Sequence, residues 1–208
     1  MPKRNKMLKE INGENSLGVF LMAQMDGVPD TIQLMVTTAD YDKEIDGLRE
    51  KGHYIIRALG VREHKISVGM FNNLVFNKGD EHPLLYGYNA KPMGVFFRGR
   101  PDNATELVLD IFQGYASTFG PWRQMPEFLN VSKPLLNLVR DGGDMLGQMP
   151  FPLAKRMEKA LQHHSLETNL IEAKLEEGHE VPPQMELLLL DNSYVVAINF
   201  SVEEMGKI

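Results

Sequence analysis

A chain of 208 residues with 43% hydrophobic and 24% charged residues has the composition of a folded globular protein that can bury a sizeable core. The absence of cysteine excludes disulfides, thiol nucleophiles, cysteine-ligated zinc and iron–sulfur clusters. The formal charge of −6 lies mainly in residues 141–208, where 5 Lys and Arg face 12 Asp and Glu, and this acidity argues against broad nucleic-acid binding.

The first half of the chain is rich in predicted strands. Runs at 16–24 and 31–38 enclose Asp26-Gly27, which predicts a hairpin. Asp40 or Asp42 is placed to cap a short helix that ends at Gly52. Further predicted strands follow one another through short connections, which favours antiparallel pairing, and they lie at 53–61, 65–76, 84–88 and 93–97.

The segment 103–119 has the strongest helical pattern in the chain. Asn103-Ala-Thr-Glu106 has the spacing of a capping box. Apolar residues then recur every four positions, and Gly120-Pro121 is the expected end. The repeat consists of Leu107, Ile111, Tyr115 and Phe119.

The remaining elements are shorter. Ser132 is expected to cap a helix that ends near Asp141, and a second helix is predicted at 152–162. Residues 166–176 fit a strand and a helix nearly equally well. The chain closes with a predicted hairpin formed by 185–190 and 194–202.

These elements predict an α+β fold. A mainly antiparallel sheet, drawn from both ends of the chain, is expected to pack against one long central helix, 103–119, with a second small helical cluster between 132 and 164. We expect residues 1–208 to form a single domain, and the glycine- and proline-containing stretch 142–152 is the best candidate for an internal boundary.

Two arginines beside the start of the long helix form the main candidate site. A helix N-terminus attracts anions, and a guanidinium can hold an oxyanion with two hydrogen bonds. The candidate ligand-binding residues there are Arg98, Gly99, Arg100 and Asn103. The structural alternative is a well-capped helix with two surface arginines, since Asp102 and Glu106 already place carboxylates there.

Three aromatic residues are weaker candidates. Trp122 and Arg123 follow the long helix, and they are predicted either to line a binding site or to plug the core. Tyr86 and Tyr88 would share one face of a strand, either as a stacking platform for a flat ligand or as packing residues.

No P-loop, G-x-G-x-x-G, G-x-S-x-G or H-E-x-x-H motif is present, so the sequence favours a non-catalytic protein that recognises a partner or a small anionic ligand. One alternative is an enzyme in which the arginines hold an anionic substrate and His82 or His64 is the acid–base group. Another is a structural or assembly protein. No cofactor or metal is predicted, and the candidate partners are a small anionic ligand and a second copy of the chain in a homodimer.

The sequence also indicates a location. No early apolar run has the length of a signal peptide, and the most apolar early stretch, 19–23, is far shorter than a membrane-spanning helix. A cysteine-free chain suits a reducing compartment. We therefore expect a cytoplasmic protein without membrane partners.

Overall fold

The computed structural model describes residues 2–125, 127–173 and 182–206. In chain order its elements are α1 (Pro2–Ile11), β1 (Ser16–Met25), β2 (Thr31–Asp42), β3 (Gly47–Leu59), β4 (Glu63–Lys65), β5 (Gly69–Phe71), β6 (Leu74–Asn77), α2 (Pro83–Asn89), β7 (Pro92–Arg98), α3 (Ala104–Phe119), α4 (Leu135–Asp141), β8 (Gly143–Pro150), α5 (Phe151–His163), β9 (Glu167–Glu172), β10 (Glu186–Leu190), β11 (Ser193–Ala197) and β12 (Asn199–Met205).

The chain divides into two compact units. Unit 1 comprises Met1–Gly79 and Pro183–Ile208, and unit 2 comprises Asp80–Pro182. The stretch 142–152 lies within unit 2, in β8 and the start of α5. That both units fold as one domain stays a prediction.

The described strands form three sheets in which every paired strand is antiparallel. Unit 1 contains a five-stranded sheet, β12-β3-β2-β1-β5, and a four-stranded sheet, β4-β11-β10-β6. Unit 2 contains the three-stranded sheet β8-β7-β9. The predicted α+β class with mainly antiparallel pairing is therefore confirmed. Among the described residues, none of the helices combines the length and apolar character needed to cross a membrane.

Unit 1 has one hydrophobic core that both ends of the chain supply. Phe20 and Leu34 from the first hairpin share this core with Leu188 and Val195 from β10 and β11. Helix α1, which the sequence pattern did not predict, adds Met7 and Ile11, both fully buried. Their spacing of four places them on one face of the helix, and burial of that face holds the otherwise polar α1 in place.

Unit 2 contains α3, but the predicted role of this helix as one long central helix against the sheet is not confirmed. Helix α5 packs directly against strands of the three-stranded sheet, and α3 packs mainly against α5 and α4. The predicted second helical cluster between 132 and 164 is not separate from α3. Leu138 of α4 and Met157 of α5 belong to the same hydrophobic core as the α3 residues Leu107 and Ile111.

The boundaries of α3 confirm the predicted helix and its caps. The Asn103 side-chain oxygen accepts hydrogen bonds from the backbone N–H groups of Thr105 at 3.1 Å and Glu106 at 3.2 Å. At the other end, the Gly120 N–H donates to the Ala116 carbonyl at 2.7 Å, with Gly120 at φ +54°. Since glycine takes up positive φ without a steric cost, Gly120 is suited to end the helix.

The predicted strand at 84–88 is wrong, because these residues form helix α2. The His82 Nδ1 accepts a hydrogen bond from the Leu84 N–H at 3.2 Å, and Pro83 follows as a residue suited to the first helical turn. On a helix, residues two apart point in different directions, so Tyr86 and Tyr88 do not share the predicted strand face.

The predicted helix between Asp40 and Gly52 is also wrong. Strand β2 runs on to Asp42 and turns directly into β3. Asp42 accepts a hydrogen bond from the Glu44 N–H at 2.9 Å, which stabilises a turn rather than a helix. Ile45 is 61% exposed, so it does not pack into a core as an apolar residue of an amphipathic helix would.

Other elements differ in detail. The predicted strand 65–76 is divided into β4, β5 and β6, and the strand 194–202 is divided at Ile198 into β11 and β12. Pro134 rather than Ser132 precedes α4, while the predicted helix at 152–162 is confirmed as α5. The segment 166–176, which fitted a strand and a helix nearly equally well, forms strand β9 from Glu167 to Glu172. Its last residues, 174–176, lie outside the described residues.

Candidate functional site

The arginine loop, residues 98–100, lies exposed between β7 and α3. Phe97 is 4% exposed, whereas Arg98 and Arg100 are both on the surface. Gly99 has φ +114°, and its N–H donates to the Gly142 carbonyl at 2.9 Å, which fixes the loop against the turn before β8. Within the described residues, neither guanidinium forms a hydrogen bond or an ion pair.

The start of α3 offers fewer free donors to an anion than the sequence suggested. Asn103 already occupies the N–H groups of Thr105 and Glu106 through its side-chain oxygen. The stem of Arg100 lies against Gly142, where an added Cβ would be 2.9 Å from the Arg100 Cγ. The loop therefore presents two free guanidiniums, but much of the helix end beside them is self-capped.

Trp122 and Arg123 lie at the far end of α3 from the arginine loop, and the helix separates them by roughly 24 Å. Trp122 is half-buried, and its ring meets the His82 ring edge-on at 5.2 Å. The Arg123 side chain is 9% exposed and donates to the Glu127 Oε1 at 2.8 Å. The predicted site residues therefore form two separate groups.

His82 gives this second group a pH-dependent contact. Burial lowers the pKa of His82 below its ordinary value. The unfolded chain then binds the proton more readily than the folded protein. The stabilisation of the fold by neutral His82 is therefore complete above about pH 6.5 and is lost as the pH falls through the folded-state pKa of His82.

We therefore expect His82→Asn to reduce the loss of stability between about pH 7.5 and 5.5, because asparagine keeps the cap acceptor but does not titrate. Urea unfolding followed by the fluorescence of Trp122, the single tryptophan, measures this. His64→Asn, on the exposed strand β4, is the matched control for the loss of a histidine. An unchanged pH dependence in His82→Asn would contradict the assignment.

A second histidine contact joins two helices of unit 2. The His164 Nε2 lies 2.8 Å from the Asp110 Oδ2, and the His164 side chain is 9% exposed. This contact ties the end of α5 to the middle of α3. Throughout the described parts of the chain, no three His, Asp or Glu side chains are grouped to hold a metal ion.

A concave charged site lies in unit 1, between α1, β3 and the end of β12. We call it the α1 cleft, and its volume is about 520 Å³. Its walls carry three lysines and one histidine, from α1 and β3, together with two carboxylates. The lining residues are Lys3, Lys6, Glu50, Lys51, Gly52, His53, Glu204, Met205 and Gly206.

A bulge in the five-stranded sheet shapes this cleft. Thr38 pairs with Gly52 and Ala39 pairs with Glu50, so Lys51 has no residue opposite it. Such a bulge redirects side chains and occurs frequently near binding sites. The Lys51 ammonium is directed to the Asp40 Oδ1 at 2.7 Å.

Buried polar groups support the floor of the α1 cleft. The Glu10 Oε2 accepts hydrogen bonds from the Tyr54 hydroxyl and the Thr38 hydroxyl, each at 2.8 Å. Burial, and then the hydrogen bond to Glu10, raise the pKa of Tyr54, so its phenol remains protonated. The neighbouring His53 Nδ1 lies 2.9 Å from the Thr37 hydroxyl. These bonds fix the orientation of the groups on α1, β2 and β3.

Carboxylates already partner two of the three lysines in the cleft. Lys6 donates to Glu204, and this hydrogen bond raises the pKa of Lys6. The hydrogen bonds from Lys51, and then from Ser16, lower the pKa of Asp40. Lys3, by contrast, forms no ion pair among the described residues.

No protein-family model, curated protein or solved structure matches this chain. The molecule is therefore classified by its own structure, as an α+β protein with mostly antiparallel sheets.

Sequence reasoning missed the α1 cleft. One local signal was available, since Met7 and Ile11 are apolar residues four apart in a basic segment, the pattern of a short amphipathic helix. The other walls come from residues 50–53 and 204–206, and only the folded sheet brings them beside the helix.

Proposed function

We propose that this protein recognises a small anionic ligand without catalysing a reaction, and that it binds this ligand in the α1 cleft. The observation that carries the proposal is the convergence of Lys3, Lys6, Lys51 and His53 on one concave site. A volume of about 520 Å³ lies within the range of small-molecule sites, roughly 300–1,000 Å³. We therefore propose a phosphorylated or carboxylated metabolite as the ligand.

The charges around the cleft favour an anion. The first turn of α1 contains no acidic residue, so its side chains do not offset the partial positive charge of the helix end, and Lys3 adds to it. The Lys6 side chain is 50% exposed in its ion pair with Glu204. Because an exposed ion pair is screened by water and contributes little to stability, a ligand carboxylate or phosphate can replace Glu204 at little cost.

We expect anions to stabilise the protein through Lys3. At a ligand concentration of about 100 Kd, binding to the folded state alone adds about 2.7 kcal/mol, which corresponds to a rise in melting temperature of roughly 5–10 °C. Thermal unfolding is measured with inorganic phosphate, citrate and a nucleoside monophosphate at constant ionic strength. Lys3→Glu should abolish most of the shift.

Lys9→Glu is the matched control, since it makes the same charge change on the same helix at an exposed residue that does not line the cleft. It should keep the anion-dependent shift. The absence of stabilisation by any of these anions in the unmodified protein would contradict the proposed function, and so would an equal loss in both variants.

The arginine loop is a second candidate for the same function. What favours it is that Arg98 and Arg100 are exposed and have no hydrogen-bond or ion-pair partner among the described residues. Arg100→Glu separates the two sites in the same assay. A shift that survives Lys3→Glu and is lost in Arg100→Glu would assign the anion to the arginine loop instead of the cleft.

We also propose, from the absence of cysteine, that the protein works in a reducing compartment such as the cytoplasm.

A further inference from the structure

The second half of β1 is an open edge of the five-stranded sheet. Strand β5 pairs only with Gly18, Val19 and Phe20. Beyond them β1 continues to Met25 with β2 on one side, and no described strand pairs with its other side. We propose that this edge, residues 22–25, pairs in antiparallel fashion with the same edge of a second copy of this chain.

The direction of the backbone groups supports such pairing. The Asp26 N–H donates to the Thr31 carbonyl at 3.0 Å, so the polar backbone groups of Asp26 face β2. These groups alternate along an antiparallel pair, so those of Gln24 also face β2, and those of Ala23 and Met25 face outward. Unpaired groups of this kind are a template for another strand.

The methionine side chains along the edge are exposed. Met22 is 40% exposed and Met25 is 70% exposed, and the neighbouring strand β5 adds Met70 at 71%. Leu21, at the register shift between Phe20 and Met22, is 51% exposed. Pairing would remove part of this apolar surface from water, which adds hydrophobic stabilisation to the backbone hydrogen bonds.

The charge pattern favours a second copy as the occupant. Strand β1 contains no charged residue from Ser16 to Met25, so self-pairing opposes no like charges, and the edge lacks the lysines and prolines that usually block such contacts. With the twofold axis at Gln24, Ala23 of each copy lies opposite Met25 of the other. The outward-facing groups then form four backbone hydrogen bonds. The bulge at Leu21 limits the paired length to this short segment.

Sedimentation equilibrium of the full chain tests the proposal. The unmodified protein should reach twice its mass of 23.6 kDa as concentration rises. Ala23→Pro should remain monomeric, because proline removes an outward-facing N–H and leaves the bonds to β2 intact. Ala23→Thr keeps the N–H and should still dimerise.

A second pair of variants addresses the apolar surface. Met25→Lys should weaken dimerisation at least tenfold, whereas Ile45→Lys, at an exposed apolar position of the β2–β3 turn, should leave it unchanged. Far-UV circular dichroism verifies that the variants are folded. A monomer at every concentration of the unmodified protein would overturn the proposal, and so would a folded Ala23→Pro variant that still dimerises.

Discussion

Gly147→Ala should destabilise unit 2 by about 3 kcal/mol or more, at or above the upper end of the usual cost of overpacking a core. Gly147 lies in β8, opposite Val95, and it also forms an isolated antiparallel bridge with Leu129. An added Cβ would be 2.2 Å from the Phe128 carbonyl oxygen and 2.9 Å from the Leu129 Cα. Both are backbone atoms, so the clash cannot be relieved by turning a side chain.

Trp122 fluorescence reports this change, because the single tryptophan lies in unit 2. Urea unfolding of Gly147→Ala should have a lower midpoint than that of the unmodified protein. Gly27→Ala is the control, since an added Cβ there meets no atom within 4 Å. A Gly147→Ala midpoint equal to that of the control would show that the close backbone contact at β8 is not part of the fold.

Glu10→Ala should destabilise the protein by about 2–4 kcal/mol, because two buried hydroxyls lose their acceptor. Tyr54 and Thr38 are fully buried, and both donate to the Glu10 Oε2. Thr38 also has a longer contact with the Gly52 carbonyl at 3.3 Å, whereas Tyr54 has no such alternative among the described hydrogen bonds. The Glu10 side chain is 18% exposed, so water entering the vacated space limits the effect.

Chemical unfolding followed by far-UV circular dichroism measures the loss. Glu10→Gln keeps an amide oxygen as acceptor and should recover more than half of the lost stability. Glu14→Ala, at an exposed position just after α1, is the control and should leave the stability nearly unchanged. In a double-mutant cycle with Tyr54→Phe, the two losses should be less than additive because they remove the same hydrogen bond. Fully additive losses would contradict the contact.

The same carboxylate connects stability with the proposed site. Glu10 fixes the register of α1 against β2 and β3, and α1 carries Lys3 and Lys6 into the cleft. Glu10→Gln should therefore bind anions nearly as well as the unmodified protein at temperatures where both are folded.

Local chemistry determined the elements that the sequence predicted well. Helix α3 has a cap, an apolar stripe and a terminal glycine, all read from neighbouring residues, and its bounds match the prediction within one residue. The first hairpin depends on Asp26-Gly27 and the strand-forming runs on either side, which are equally local signals.

Helix α2 shows where local signals compete. Leu84 and Leu85 are fully buried, and a short apolar run of this kind suits a strand or a buried helix. The cap from His82 and the proline after it favoured the helix, together with the burial of both leucines. In the same way, Asp42 could cap a helix or stabilise a turn. Because β2 pairs with β3, the chain turns at this point, and Asp42 stabilises that turn.

The sequence by itself determined the α+β class, the caps of α3, the first hairpin and the exposure of the arginines after Phe97, because each depends on residues a few positions apart. Only the tertiary structure decided the division into three sheets, the α1 cleft and the open edge of β1. These depend on which strands pair across as many as 152 residues of chain, as when β12 joins β3 and brings Glu204 to Lys6. Such pairing is selected by burial of the shared core, which no local pattern contains.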